Sequence, residues 1–347
     1  MSGLRIKRPF DAHHHFREGE MLKKIAIFTT ILDWAVAMGN LKSPVVTADD
    51  VQRYREEILQ ACKDHNPTFR PIMSVMLVRK TTPEIIEKAY DDGFGAKLLK
   101  LIPGKTSTNA DQGISLDELE NYYPCLEKAA ELGLIFSGHW EDVGPKGDIP
   151  DVERELAALK YLQQVILAFP KLKIIVEHAT TKEMIEFVKQ QGPNIFATLT
   201  QHHALLTTDD VLANLGEVKE PRNYCKPVAK SENDRLAVIK AMISGDPHFG
   251  WGSDCAPHTK EAKTKGAAGI FCPPPPAIAL LAQIFEQANA LKKLETFTST
   301  NGLNFYGLSP SNKSISLIKE DWQMPKDHVN IPYPTFISTE PLSWRLI

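Results

Sequence analysis

A chain of 347 residues with 43% hydrophobic content is long enough for two small domains or one large α/β barrel. Its formal charge of -3 argues against a nucleic-acid or anionic-membrane surface, and no run approaches the ~18 apolar residues of a membrane span. Five cysteines, scattered without CxxC spacing, read as reduced thiols of a cytoplasmic protein. The basic start, Met1 to Pro9, lacks the apolar stretch of a signal peptide.

In chain order the expected strands are Leu4–Phe16, Leu32–Met38, Arg70–Leu77, Gly95–Ile102, Leu134–His139, Lys173–His178, Asn194–Thr200 and His248–Asp254. Helices with good start signals lie between them. Thr47 precedes Val51–Cys62, Thr82-Pro83 precedes Glu84–Tyr90, Ser115 precedes Leu119–Leu132, and Thr181 precedes Met184–Gln191. Strands alternating with helices predict a parallel sheet, and eight of them predict an α/β fold of the (β/α)8 TIM-barrel type. The alternative is an open, doubly wound sheet. One domain over residues 1–347 is expected, with residues 308–347 as a Pro-rich, loop-like tail on the barrel.

The polar residues cluster where those strands end. His13 and His15, two strand residues and roughly 6–7 Å apart, project from one face. His14 projects from the other, and Arg17 follows. Asn40 comes after the second strand, Lys100 near the end of the fourth, His139 at the end of the fifth, His178 at the end of the sixth, and Asp254 closes the eighth. C-terminal strand ends of a barrel converge on one face, where active sites are built. One histidine at a strand end is most often structural; this set is harder to explain so. Imidazole and carboxylate are ordinary zinc ligands, and the set is too large for one catalytic zinc and about right for two. A pair of metals needs a bridging anion. Lys100, in the apolar run Leu98–Ile102, can supply one as a carbamate, because burial lowers a lysine's pKa and only the neutral amine reacts with CO2. Lys97 competes from the opposite face; the bland alternative is a lysine whose stem is buried and whose head reaches the rim.

The chain resembles the shorter, bacterial-type dihydroorotases of the amidohydrolase superfamily over nearly its whole length. The resemblance rests on Arg8-Pro-x-Asp-x-His-x-His-x-Arg17, Asn40-Leu41-x-x-Pro44-Val45, Lys100-Leu-x-Pro103 leading to Thr108-Asn109, and Val176-Glu-His178-x-Thr-Thr-Lys182. It continues in Tyr224-Cys225-x-Pro227, Gly252-x-Asp254-x-Ala-Pro-His258 and Asn301-Gly-x-x-Phe-Tyr-Gly307. It implies a cytoplasmic enzyme that interconverts N-carbamoyl-L-aspartate and L-dihydroorotate in pyrimidine biosynthesis. The implied cofactors are two zinc ions and an N6-carboxylated Lys100. His13, His15 and Asp254 would bind one zinc, His139 and His178 the other, with Asp254 as the proton carrier. Arg17, Asn40 and His258 would hold the substrate carboxylate. Ser107 and Thr108 would reach in from a closing loop at Gly104–Gln112, and Lys226 and Ala268 would line the pocket. A small-molecule substrate, a homodimer, and no nucleic-acid or membrane partner are expected.

The chain departs from that pattern in places. Gly39 precedes Asn40 where the family has proline, Ser107 replaces a threonine, and Lys226 replaces an apolar residue. His203 matches the family position and His202 is an extra imidazole, read as structural; the segment from Lys260 to Gly266 is short and lacks the family's cysteines. Competing readings are an allantoinase or hydantoinase, a single-metal deaminase, and an inactive scaffold. The carboxylate clamp, the lysine on the fourth strand and the complete ligand set argue against these in turn.

Overall fold

The computed structural model describes residues 3–90, 95–213, 216–322 and 342–347. The strands preceding the tail are β1 (Gly3–Lys7), β2 (Phe10–His14), β3 (Trp34–Ala37), β4 (Arg70–Met76), β5 (Ala96–Leu101), β6 (Ile135–Gly138), β7 (Lys173–Val176), β8 (Ile195–Leu199) and β9 (Phe249–Trp251). β2 to β9 form one eight-stranded sheet in sequence order, each strand parallel to the next. Its two edges meet just beyond β2 and β9. There His15 donates its N–H to the Cys255 carbonyl at 3.1 Å and Asp254 donates to that of His13 at 2.9 Å. The buried Asp11 carboxylate staples the seam, accepting the Ser253 N–H at 2.8 Å, the Ser253 hydroxyl at 2.6 Å and His14 Nδ1–H at 2.8 Å. The fold is the expected (β/α)8 barrel.

Side-chain alternation sorts the core into two layers. Phe10, Val36, Ile72, Leu98, Ile135, Ile175 and Phe196 fill the barrel, with Leu303 and Phe305 beneath them. Their strand neighbours, such as Leu99, Leu101, Ile174 and Ala197, face the surrounding helices. The helix starts follow the cap residues. Thr47 and Asp50 form a reciprocal capping box at Ala48–Cys62, Thr82 caps Pro83–Ala89 and Thr181 caps Lys182–Lys189. The helix expected at Leu119–Leu132 differs. A 3-10 turn over Leu116–Tyr122 leads into an α-helix only at Tyr123–Glu131. Pro124, which has no N–H to donate, fits only the first turn of that helix.

The first expected strand is two strands. Pro9 cannot donate to a ladder, and the chain changes sheets at Arg8-Pro9. β1 pairs antiparallel with β10 (Ser314–Trp322), which pairs with β11 (Leu342–Leu346). The region after Gly307 is therefore not all loop. Ile315 and Leu317 alternate with more exposed neighbours, a pattern that the following Lys319-Glu320-Asp321 conceals in the sequence. β11 docks on the helix Pro274–Gln287, where Trp344 Nε1–H donates to Glu286 at 3.0 Å. The rest of the expected tail, 323–341, lies outside the described residues. No described helix is long and apolar enough to cross a membrane.

Candidate active site

The C-terminal strand ends gather the expected ligands into one buried cluster. His13 lies one residue before the end of β2 and His15 just beyond it; their Nε2 atoms are 3.3 Å apart, and Asp254 Oδ1 lies 3.4 and 3.2 Å from them. His139 and His178 follow β6 and β7, with Nδ1 of the first 3.1 Å from Nε2 of the second. The His13 and His178 rings, 5.1 Å apart between centroids, join the two pairs. Lys100 rises from β5 beneath them. It is fully buried, and its Nζ has no hydrogen-bond partner. The nearest carboxylate oxygen, on Glu177, is 3.6 Å away. Burial lowers the Lys100 pKa, and the opposing pull of Glu177 and Asp254 is too weak to restore it. Lys97 lies on the outer face, its ammonium 5.3 Å from the centre of the Tyr90 ring.

Two carboxylates behind the cluster fix which imidazole nitrogen is bare. Glu177 accepts His13 Nδ1–H at 2.8 Å, together with the hydroxyls of Thr198 at 2.7 Å and Ser137. His13 Nε2 is then left bare toward His15 and Asp254. Glu141 accepts His139 Nε2–H at 2.7 Å, which leaves Nδ1 facing His178. Such partners fix tautomer and ring orientation at metal sites. Sequence reasoning assigned neither glutamate a role. Glu177 adjoins His178, and strand alternation sends neighbours to opposite faces. The break is at His178, whose φ of 40° lies in the left-handed region, so both side chains turn inward. The available signal was an acidic residue inside an apolar run beside a histidine. Arg17 at φ 59° and Asp254 at φ 43° are strained in the same way, and such strain gathers at functional sites. For Asp254, burial acts to raise the pKa. The His15 hydrogen bond and the neighbouring His13 and His178 outweigh it, and the carboxyl stays well below its usual range.

Above the cluster is a pocket lined by Arg17, Asn40, Ser107, Thr108, Lys226 and Ala268 as well as the ligand set. His258 stands behind its wall, Nε2 2.9 Å from the Ala268 carbonyl and 3.0 Å from Arg17 Nη2. Burial, then the charges of Arg17 and Lys263, lower its pKa to about 3, so the ring is neutral at pH 7. With its proton given to the carbonyl, the facing guanidinium N–H remains for an anion. Gly104–Gly113 lies across the mouth. Thr108 donates its hydroxyl to the Ala268 carbonyl at 3.2 Å, and Asn109 donates to the Asn40 carbonyl at 3.2 Å. The Lys226 ammonium is paired with Asp151, which neutralises the added charge. His203 is engaged at both nitrogens, by Thr200 at 2.8 Å and the Pro227 carbonyl at 2.9 Å. That makes it structural, although it lies with His202 and Cys225 in a group of metal-ligand type.

Gly252, just beyond β9, supports the cluster from below. A Cβ there would meet the Cβ atoms of His13 at 2.8 Å and Thr198 at 3.0 Å. Gly252→Ala is expected to destabilise the fold by about 1–3 kcal/mol through overpacking, measured by urea unfolding; an unchanged midpoint would contradict this.

Residues 10–222 match the family model described as Amidohydrolase. A dihydroorotase of Azoarcus sp. (strain BH72) is 36% identical over 352 residues, covering 100% of both chains. One from Nitrosococcus oceani is 39% identical over 333 residues, covering 95% of this chain and 93% of its own. The fold matches a Saccharomyces cerevisiae dihydroorotase solved with 5-fluoroorotic acid at TM-score 0.89 and 31% identity, covering 100% of this chain and 99% of that one. It matches a Campylobacter jejuni dihydroorotase at TM-score 0.87 and 32% identity, covering 99% and 97%. An L-hydantoinase from Arthrobacter aurescens, at 15% identity and TM-score 0.77 with 99% and 83% covered, shares the fold.

Proposed function

Because the chain belongs to the amidohydrolase family and, within it, to the dihydroorotases, we propose that it interconverts N-carbamoyl-L-aspartate and L-dihydroorotate, the third step of pyrimidine biosynthesis. One observation carries the reading: a buried set of metal-ligand side chains lies directly beneath a pocket whose wall holds Arg17.

The cluster suits divalent metal. Ring nitrogens face one another at 3.3 and 3.1 Å, those of His13 and His139 left bare by their glutamate partners, and the buried Lys100 amine has no hydrogen-bond partner. His13, His15 and Asp254 would hold one zinc, His139 and His178 the second, and Lys100, as its carbamate, would span them. Bound there, the metals supply a water that is nucleophilic at neutral pH and positive charge for the ring carbonyl. Asp254 takes a proton from that water and delivers it to the leaving ring nitrogen; in ring closure it returns the proton. Its Oδ1 is turned to His13 and His15, so Oδ2 is the oxygen that carries the proton. Arg17, with Asn40 and His258 beside it, grips the ring carboxylate and fixes the scissile amide over the metals.

Ser107 and Thr108 serve as the closing contacts of a lid, since Gly104–Gly113 has few apolar anchors of its own. Hydrogen bonds to a charged group contribute about 1.5–3 kcal/mol each. Ser107→Ala/Thr108→Ala is therefore expected to lower kcat/KM by at least about tenfold, with kcat falling as well as KM rising, because closure also excludes water. Steady-state kinetics check this, and unchanged constants would reduce the segment to a connector.

The function is tested by assaying purified protein on dihydroorotate, allantoin and hydantoin, before and after chelation and with zinc restored. Turnover of dihydroorotate alone, lost on chelation and regained with about two zinc per chain, supports the reading. Preference for hydantoin or allantoin overturns it. A single amidohydrolase unit, homodimeric and cytoplasmic, completes the proposal; its five cysteines, all free and buried, accord with a reducing compartment.

A further inference from the structure

We propose that His202 is a positioning residue for Asp254, steering Oδ2 through an N–H whose direction is set by Trp251 and Gln201. The inference rests on the reading of Asp254 as the proton carrier.

The hydrogen positions start from a donor that has no alternative. The Trp251 indole N–H can only donate, and it meets Gln201 Oε1 at 3.0 Å. That fixes the amide orientation, and the Gln201 NH2 accordingly donates to the Ser253 carbonyl at 3.0 Å. The same NH2 faces His202 Nδ1 at 3.4 Å, so Nδ1 is the acceptor and the ring proton sits on Nε2. His202 is fully buried, and its Nε2 lies 4.0 Å from Asp254 Oδ2. The two carboxylate oxygens are thus divided: Oδ1 toward His13 and His15, Oδ2 toward His202. An oriented N–H dipole at that range, in a dry interior, favours one carboxylate torsion. Oδ2 keeps a second lone pair for the proton in transit. Trp251, Gln201 and Ser253 all belong to the β8–β9 side of the barrel, so the direction is set by rigid scaffold.

Three substitutions separate this role from packing. Glutamine places its NH2 where imidazole Nε2 sits, asparagine where Nδ1 sits, and leucine supplies volume without a donor. His202→Leu and His202→Asn are expected to lower kcat about 10- to 100-fold with KM and zinc content nearly unchanged, the mark of a misplaced reacting group. His202→Gln is expected to keep at least about half of wild-type kcat, since it retains the donor at the Nε2 position. Histidine 15N shifts in the metal-free protein should place the His202 proton on Nε2. Wild-type kcat in His202→Leu, equal loss in the Gln and Asn variants, loss confined to KM or zinc content, or a proton on Nδ1 overturns the inference. Asp254→Ala, assayed alongside, reads the underlying assignment separately: if it stays active the proton-carrier reading fails, whatever the His202 variants do.

Discussion

Asp254→Ala is expected to leave the barrel folded and to lower kcat by at least ~10²–10⁴-fold, the usual range for loss of a positioned acid–base group. The loss of a ligand adds to that. No other described carboxylate approaches both His13 and His15: Glu177 is committed to His13 Nδ1, Ser137 and Thr198, and Glu141 to His139. Neither can substitute without giving up the hydrogen bonds that orient the ligands. The check is kcat beside circular dichroism and zinc analysis. A variant keeping more than about a tenth of wild-type kcat, a loss below the usual range, would remove Asp254 from the chemistry.

Lys100→Ala is expected to lose both metal and turnover, and to regain part of each when short carboxylates are added. The alanine leaves a hole in the barrel where acetate or propionate would take the place of the proposed carbamate. Lys97→Ala should keep full zinc content, because that side chain lies outside the barrel against Tyr90. Zinc analysis and activity of both variants, with and without added carboxylate, decide the matter. Loss of zinc in Lys97→Ala with retention in Lys100→Ala would place the bridging lysine three residues earlier. The pH sense is fixed by the direction of the Lys100 shift. Burial lowers its pKa, so the neutral amine that reacts with CO2 is more abundant at neutral pH than for an exposed lysine. Acidification withdraws it, and carbamate formation should weaken as pH falls.

The strand ends were legible in the sequence because each combines an apolar run with a polar residue that has no reason to be there. His139, His178 and Asp254 were placed by that contrast alone, whereas counting in twos only put Lys97 and Lys100 on opposite faces, and the family resemblance running on from Lys100 favoured Lys100. The pattern was blind where the backbone leaves its regular period. Glu177 was passed over because the left-handed turn at His178, two residues past β7, cancels the alternation. Leu4–Phe16 read as one strand although Lys7-Arg8-Pro9 interrupts its apolar alternation, because the partner that draws β1 out of the barrel lies far along the chain, at Ser314–Trp322. The reach of Trp251 to Gln201 is tertiary, and no local rule exposes it; Glu141 is only two residues from His139 but lies beyond β6, where strand alternation gives no direction.

The seam that closes the barrel also sets when the enzyme can exist at all. Asp11 and Ser253 are 242 positions apart, and β1 waits for a partner beyond Lys313. At ribosomal speeds of about 5–20 residues per second, the open edge of β2 at Asp11 waits roughly ten to fifty seconds for Ser253 to be made. Pairings of such long sequence separation form late and slowly. His13 and His15 therefore emerge early but stay half a site until Asp254 arrives, and a chain interrupted before that point has neither a closed barrel nor the carboxylate. A metal held by His13, His15 and Asp254 would then report that the chain has been made as far as the end of the last barrel strand.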